Sequence, residues 1–169
     1  MHRSFPDEPE PRLTAEGEHP LWDEALAVVN RDLAATLPEQ PPLRLVAYPG
    51  WPDGEDGADG PGEVLHVALA NGDWHGNALE PESTPAGALW AVAEAAQETV
   101  MGCLWQTWPV CTVHGLGLHP GEEAGRPSWR CAGGGPGDPG HIRAAVGELD
   151  SVHRPRRPDR ERREDSEGR

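Results

Sequence analysis

Lysine is absent from this chain, and all 14 of its basic residues are arginine. Tyrosine and phenylalanine occur once each, and 36% of the 169 residues are hydrophobic when glycine is not counted. Glycine and proline, with 21 and 19 residues, make up nearly a quarter of the chain. Because these two residues favour turns and loops, we expect part of the chain to be irregular and the core to come from its middle.

Long apolar segments are absent as well. No run approaches the roughly 20 apolar residues that a membrane-spanning helix needs, and residues 2–7 lack the apolar core of a signal peptide. The 3 cysteines of such a chain are expected to be reduced thiols. These features predict a cytoplasmic protein without a membrane segment.

Negative charge dominates most of the sequence. The formal net charge is −15, and residues 153–169 carry seven arginines against five acidic residues. The first 152 residues therefore hold the other seven arginines against 24 acidic residues. A surface of this sign repels a phosphate backbone, so we do not expect the folded part to bind nucleic acid. The mixed-charge tail has no aromatic residue, and we interpret it as a solvated segment.

Two stretches have the apolar spacing of amphipathic helices. The first begins near Pro20 and ends at Pro38. The second covers residues 85–104, where Thr84 supplies a hydroxyl N-cap and a proline occupies the first helical position. Cys103 lies on the apolar stripe of this second helix, and we expect it to be a core residue.

Alternating apolar residues predict β-strands between these helices. Residues 43–48 form one short strand, and residues 64–79 form a β-hairpin. Asn71-Gly72 is the preferred pair for a two-residue type I′ turn at the hairpin tip. In the resulting register Leu65 opposes Ala78, which gathers most large apolar side chains on one face.

This register also predicts that two histidines are neighbours. His66 and His75 then lie diagonally across the hairpin, with their Cα atoms about 7–8 Å apart. Such a pair can bind a metal ion or act as an acid and a base. The alternative is that both are exposed sheet histidines without a function.

Residues 105–149 are predicted to form a separate strand unit. Val110–Val113 and Trp129–Ala132 are its strand candidates, and a loop begins at His119. His141–Leu149 is compatible with a short helix or with a last strand, and Gly147 weakens the helical alternative.

Soft metal ligands are concentrated in this strand unit. Cys111 and His114 are three residues apart, and the following Gly115 tolerates the positive φ of a tight turn. In a zinc knuckle this spacing lets two side chains bind one tetrahedral ion. Cys131 is the natural third ligand, and a histidine supplies the fourth. The predicted ligand set is Cys111, His114, Cys131 and His141, with His119 as the alternative fourth ligand.

Two other interpretations of these residues are open. Cys111 and Cys131 can be small buried side chains on neighbouring strands. Alternatively, Cys111 can be the nucleophile of a small hydrolase or transferase with His114 as its base. A knuckle turn, however, points both side chains at one centre rather than at a substrate. The sequence also has no serine-hydrolase elbow, dinucleotide fingerprint or helical metalloprotease motif, so we assign no catalytic residue.

The region around these ligands resembles a known sequence pattern. Residues 108–115 read Trp-Pro-Val-Cys-Thr-Val-His-Gly and are followed by Trp-Arg-Cys at residues 129–131. This combination is similar to one in small uncharacterised actinobacterial proteins, and the exclusive use of arginine fits the same origin. The resemblance lies within residues 108–131 and implies no established activity.

The sequence as a whole predicts an α+β fold, in which a small, mostly antiparallel sheet packs against two helices. Residues 1–19 form a disordered lead, residues 20–150 a single domain with its Cys/His strand unit at 105–149, and residues 151–169 a charged disordered tail. We expect a non-enzymatic cytoplasmic domain that binds a protein partner and holds a structural zinc ion. The sequence indicates neither the partner nor the oligomeric state.

Overall fold

The computed structural model describes residues 10–50 and 62–150. The predictions for residues 1–9 and 151–169, and for the acidic loop that follows Gly50, lie outside these ranges. The described part confirms the predicted α+β class, with helices and antiparallel strands. Its elements in chain order are β1 (Arg12–Leu13), α1 (Pro20–Thr36), β2 (Arg44–Pro49), β3 (Glu63–Ala68), α2 (Pro85–Leu104), β4 (His119–Glu123), β5 (Arg126–Cys131) and β6 (His141–Ala145).

The strands form two sheets of three strands each. The first sheet has the order β1-β2-β3 and the second has the order β4-β5-β6, and all pairs are antiparallel. Strand β1 falls within the stretch 1–19 that the sequence indicates as a disordered lead. It pairs with β2, and the Arg12 guanidinium contacts the carboxylates of Glu63 at 2.6 Å and Glu18 at 2.5 Å.

Both helices occur where the apolar spacing predicts them. Helix α1 begins at Pro20 and ends before Pro38, and α2 covers the predicted residues 85–104. The Thr84 hydroxyl accepts a hydrogen bond from the Gly87 N–H at 3.1 Å, which satisfies one free donor of the first turn. After α2 the chain changes direction at Trp105, whose φ is +53°.

Helix α2 contacts both sheets through buried polar side chains. The Thr99 hydroxyl donates to the Val67 carbonyl of β3 at 2.8 Å. Two residues away, the Gln97 amide donates to the carbonyls of Trp108, at 3.2 Å, and of Leu118, which lie on the side of the second sheet. Because these groups are buried, each bond also removes the cost of an unpaired backbone carbonyl.

Helix α1 is tied to the second sheet by one buried carboxylate. Asp32 accepts hydrogen bonds from the Trp129 indole at 2.7 Å and from the backbone N–H groups of Gly147 at 2.7 Å and Leu149 at 2.9 Å. Burial raises the pKa of Asp32, and these three N–H donors oppose that rise. A single side chain thereby fixes both a strand and the segment that follows the sheet.

Two tryptophans, of which Trp129 lies on β5, are in contact with each other and hydrogen-bond to α1. Trp108 and Trp129 meet edge to face, with ring centroids 5.7 Å apart. The Trp108 indole donates to the Thr36 hydroxyl of α1 at 2.8 Å. These rings belong to one hydrophobic cluster that spans both helices and both sheets. Its fully buried members include Val29, Leu33, Val92, Ala96, Val100, Val67, Trp129, Cys111 and Cys131.

Of the β-hairpin predicted over residues 64–79, the structure has only the first strand, β3, and it reverses direction through a turn other than the predicted one. The Leu69 N–H donates to the Asp73 carbonyl at 2.8 Å, and the Leu69 carbonyl accepts from the Gly72 N–H at 2.9 Å. The loop therefore has three residues and ends at Gly72, whose φ is +91°. The Asn71 side-chain oxygen accepts from the Asp73 N–H at 3.0 Å, a local bond that stabilises this longer loop.

The three-residue loop does not by itself set the register, because a regular ladder with Leu69 opposite Asp73 would place Leu65 opposite Asn77. Leu65 pairs with Leu79 in an isolated bridge, so the predicted pairing of Leu65 with Ala78 is wrong. The segment that returns from the loop does not form a strand in the described structure. Hydrogen bonds between β3 and the returning segment do not alone determine the register. The His75 N–H of the returning segment also donates to the Thr99 hydroxyl of α2.

The strand unit at 105–149 differs from its prediction in two places. Val110 forms only an isolated bridge with Gly117, because the turn that follows Val110 folds the chain back. His119–Glu123, predicted to begin a loop, is strand β4. It joins β5 through Ala124 and Gly125, and both of these loop residues have positive φ. The predicted strand at Trp129–Ala132 corresponds to β5, and of the two alternatives for residues 141–149 the strand is correct.

Candidate metal centre

The first two candidate ligands lie on a closed loop after α2. The Gly115 N–H donates to the Cys111 carbonyl at 2.7 Å, and the Cys111 N–H donates to the Leu116 carbonyl at 2.7 Å. Gly115 has a φ of +68°, as the sequence predicts for the residue after the second ligand. This turn brings the side chain of His114 back beside the sulfur of Cys111.

The other two candidate ligands come from neighbouring strands. Cys131 is the last residue of β5 and His141 is the first residue of β6. The two residues are paired in the antiparallel register. The sheet therefore fixes the relative position of these two side chains, although nine residues separate them in the chain.

The four side chains converge on one point. One potential ligand atom from each of Cys111, His114, Cys131 and His141 lies within 4.8 Å of all the others. Within residues 10–50 and 62–150, this is the one group of three or more such residues. The convergence gives a site that can hold a metal ion.

The individual distances have the scale of a tetrahedral metal site. His114 Nδ1 lies 3.3 Å from Cys131 Sγ and 3.6 Å from Cys111 Sγ, and His141 Nε2 lies 3.7 Å from Cys111 Sγ. With Zn–S near 2.3 Å and Zn–N near 2.0–2.1 Å, a tetrahedral angle separates sulfur and nitrogen by about 3.6 Å. The ligand atoms thus leave space for an ion without a rearrangement of the backbone.

The electrostatics of this cluster favour one thiolate. Burial raises the pKa of Cys111, but hydrogen bonds from the backbone N–H of His114, from its imidazole and from the backbone N–H of Val113 outweigh it. The resulting pKa of Cys111 is about 6. The contact with Cys111, followed by that with Asp138, raises the pKa of His114. Without metal, these contacts therefore favour the thiolate form of Cys111 and the protonated form of His114.

The pKa of the second cysteine, Cys131, shifts in the opposite direction. Burial and the neighbouring Cys111 raise the pKa of Cys131, while the Gly133 N–H and the charge of Arg143 oppose the rise. The Gly133 N–H lies 3.4 Å from Cys131 Sγ. A metal ion that binds both sulfurs must displace the proton of Cys131 and that of His114, so its affinity falls at low pH.

The structure also decides between the predicted alternatives for other residues. His119 is exposed on β4 and lies outside the cluster, whereas His141 is one of the four residues that converge. Cys103 is a half-buried residue of α2 and also lies outside the cluster. The interpretation of Cys111 and Cys131 as buried residues is compatible with the metal site, since both sulfur side chains are fully buried.

The predicted pair of His66 and His75 depends on the register that proved wrong. The His66 ring stacks on Trp74, with centroids 4.7 Å apart, and burial lowers the pKa of His66. The His75 ring instead lies against Gly102 of α2, where a Cβ would stand 2.3 Å from the imidazole Cγ. The two rings have different neighbours, and packing accounts for both.

One residue of the site, Asp138, has no role predicted from the sequence. Asp138 Oδ2 lies 2.6 Å from His114 Nε2. Asp138 is the acidic residue in an otherwise glycine- and proline-rich segment between the ligands Cys131 and His141. That isolated carboxylate between two ligands was the available signal.

The chain matches no protein-family model, no curated protein and no solved structure. The resemblance to small actinobacterial proteins therefore stays a prediction. Within the described parts of the chain, no helix combines the length and the apolar character needed to cross a membrane.

Proposed function

We propose that this protein is a non-enzymatic cytoplasmic interaction domain with one structural zinc ion bound by Cys111, His114, Cys131 and His141. The observation that carries the metal part is the convergence of these four ligand atoms within 4.8 Å of one another. Two sulfurs and two imidazole nitrogens form a donor set that zinc prefers in tetrahedral sites. The ion balances two thiolates, so the loaded centre is neutral.

The ligand number favours a structural role over a catalytic one. Catalytic zinc sites keep a coordination position for water or substrate, whereas four protein ligands close the coordination sphere. The two sulfurs are fully buried, which further separates the centre from a substrate. Such an ion connects the loop at 111–115 to strands β5 and β6, and its binding free energy becomes folding free energy.

Exposed apolar side chains beside the centre support a protein partner. Val113 lies inside the ligand turn and is 67% exposed, and Leu116 follows that turn and is 43% exposed. Trp105, at the end of α2, is 91% exposed. Aromatic side chains such as Trp105 are enriched in protein interfaces. The metal would hold the turn that displays Val113 and Leu116.

The metal proposal is tested by zinc analysis of the purified chain. We expect about one zinc ion per chain, and a chelator should lower the melting temperature while added zinc restores it. His141→Ala should lose the ion, whereas His119→Ala, which removes an exposed imidazole of the same sheet, should keep it. A chain that carries no zinc, and whose melting temperature does not respond to added zinc, would overturn the proposal.

The interaction proposal needs its own test. Wild type and the double variant Val113→Ser/Leu116→Ser are used side by side to capture proteins from native host cells. The matched control is Leu13→Ser, which changes an exposed apolar side chain on the first sheet. We expect a partner that wild type and the control retain and the double variant loses. Identical capture by all three proteins would reject these side chains as the interface.

A second candidate function is a hydrolase or transferase that uses Cys111 and His114. The observation in its favour is the Cys111 pKa of about 6, since a thiolate is the nucleophilic form. Alkylation with iodoacetamide separates the two candidates. The structural centre predicts a Cys111 that zinc protects from alkylation, whereas rapid alkylation of a zinc-free native chain would favour the enzyme.

A further inference from the structure

The segment between Cys131 and His141 returns a carboxylate to a third ligand. Asp138 Oδ2 lies 2.6 Å from His114 Nε2. The opposite nitrogen of the same ring, Nδ1, faces the two sulfurs at 3.3 and 3.6 Å. The two nitrogens of His114 therefore have separate partners, one acidic and one in the metal cluster.

We propose that Asp138 is a positioning residue of the metal centre, which keeps the proton of His114 on Nε2 and so presents the Nδ1 lone pair to the ion. This inference rests on the proposed function, because it needs a metal that His114 binds. A neutral imidazole has one N–H and one lone pair, and the hydrogen bond of one nitrogen determines which nitrogen can coordinate. Carboxylates in this position also fix the ring orientation and increase the basicity of the ligand.

The backbone around Asp138 is shaped for this contact. The Asp138 N–H donates to the Gly135 carbonyl at 3.0 Å, which closes a tight turn. At Gly134 a Cβ would stand 2.6 Å from Asp138 Oδ2 and 3.4 Å from His114 Cδ2. A side chain at position 134 would therefore displace the carboxylate from the imidazole. Glycine there is explained by the approach of Asp138 to His114 and not only by loop flexibility.

The same segment contacts a second ligand. Gly133, with a φ of +86°, directs its N–H to Cys131 Sγ. A Cβ at Gly133 would stand 2.3 Å from the Asp138 carbonyl oxygen, so the two ends of the segment are in close contact. We infer that residues 133–138 are an outer layer of the metal centre, which supports one sulfur and one imidazole.

The affinity test compares three variants by zinc competition with a chromophoric chelator. Asp138→Ala should weaken zinc binding about 10–100-fold, the usual effect of such an outer ligand partner. Asp138→Asn keeps an oxygen acceptor for the Nε2 proton and should lose less. Gly134→Ala keeps the carboxylate but displaces it, and should resemble Asp138→Ala. Glu122→Gln, an exposed carboxylate of β4, is the control and should bind zinc like wild type.

A spectroscopic measurement separates positioning from general structural support. Nitrogen-15 NMR of the zinc-loaded wild type should show His114 with a proton on Nε2 and a metal-bound Nδ1. In Asp138→Ala the Nε2 proton should exchange faster with water, or the coordinating nitrogen should change. A variant that is merely less stable would keep both signatures when it is saturated with zinc at low temperature.

The outcomes distinguish this inference from the proposed function. A wild-type chain without zinc affinity would reject both. Zinc binding by wild type with unchanged affinity and unchanged His114 signals in Asp138→Ala would reject the role of Asp138 alone. If Asp138→Ala does not fold, Asp138→Asn and Gly134→Ala supply the same comparison, and equal affinity of both with wild type would likewise overturn the inference.

Discussion

The first and second sheets each have three antiparallel strands, but different interactions hold them. In the first sheet, β2 and β3 supply apolar side chains to both faces, and Leu45, Val46, Ala47 and Val67 are all nearly completely buried. The second sheet is built from β4, β5 and β6, whose sequences are rich in Pro, Gly, Arg and His. It contributes few aliphatic side chains to the core, so hydrophobic burial alone supports it less.

Specific contacts replace aliphatic burial in the second sheet. Trp129 is fully buried and its indole donates to Asp32 of α1. Gln97 of α2 binds two backbone carbonyls on the same side. The potential metal ligands Cys131 and His141 come from the ends of β5 and β6. We conclude that the second sheet depends on a few directional contacts, each of which is expected to have a large individual effect.

Removal of the metal centre should produce the largest difference in stability between the two sheets. Cys111→Ser should lower the melting temperature by roughly 15 °C or more, because metal-dependent folding energies in small zinc domains reach about 10–16 kcal/mol and a domain of this size loses a few degrees per kcal/mol. Hydrogen exchange should accelerate in β4–β6 well before it accelerates in β2 and β3.

The remaining cysteine gives the control for this experiment. Cys103→Ser changes the same chemical group in half-buried surroundings outside the ligand cluster, and it should shift the melting temperature much less. Wild type treated with a chelator should match Cys111→Ser. Uniform acceleration of exchange over both sheets would show that the metal supports the whole domain, and the contrast between the sheets would then be lost.

Asp32→Ala should have the second largest effect. The substitution leaves the Trp129 indole and the N–H groups of Gly147 and Leu149 without their acceptor, and each buried donor costs about 1–3 kcal/mol when it is unpaired. We expect a loss of about 3–5 kcal/mol in the free energy of unfolding, measured with urea. Asp23→Ala, which removes an exposed acceptor of the same helix, is the control. A loss equal to that of the control would show that Asp32 is not an anchor of the second sheet.

The same contrast explains which parts of the fold the sequence could predict. Helices α1 and α2 and strand β2 follow from apolar periodicity, because their side chains face one core. The clustering of Cys111, His114, Cys131 and His141 was predictable from chemistry, because Cys111 and His114 have the spacing of a zinc knuckle. Periodicity failed for β4, whose residues His119–Glu123 read as a loop, because its partner β5 and the cluster around it determine the strand.

Turn chemistry gives a second instance. Asn71-Gly72 has the preferred sequence for a two-residue turn, yet the chain uses a three-residue loop there. The two-residue loop with two positive φ values occurs at Ala124-Gly125 instead. Local preference is worth little against tertiary contacts, and Thr99 of α2, which binds the backbone of His75, competes with the preferred hairpin. The contact of Asp138 with His114 spans 24 residues, so the sequence shows the isolated carboxylate but not its partner.

Two substitutions in α2 should loosen one sheet each. Gln97→Leu leaves the Trp108 and Leu118 carbonyls unpaired, and Thr99→Val leaves that of Val67 unpaired. Each should cost about 1–3 kcal/mol. We expect faster hydrogen exchange near residues 108–118 in the first variant and near β3 in the second. Because the two positions lie on one helix, each variant is the control for the other, and identical exchange patterns would contradict the separation of the sheets.

The smallest expected effect is the pH dependence of the stability that Asp32 contributes. Burial raises its pKa in the folded chain above the unfolded value of about 3.9. The folded state therefore holds this proton to a higher pH than the unfolded state does. The stability that Asp32 contributes is complete below about pH 4 and is lost as the pH rises through the raised pKa.

This pH effect is measured as the difference in unfolding free energy between wild type and Asp32→Asn, because the asparagine side chain does not titrate. The stability of wild type relative to the variant should fall as the pH rises from about 4, with a slope of at most about 1.4 kcal/mol per pH unit. Release of the metal at low pH affects both proteins and cancels in the difference. A relative stability that increases with pH would mean that the three N–H donors outweigh burial. The second sheet would then be held by a carboxylate that is charged throughout, which would sharpen its contrast with the apolar first sheet.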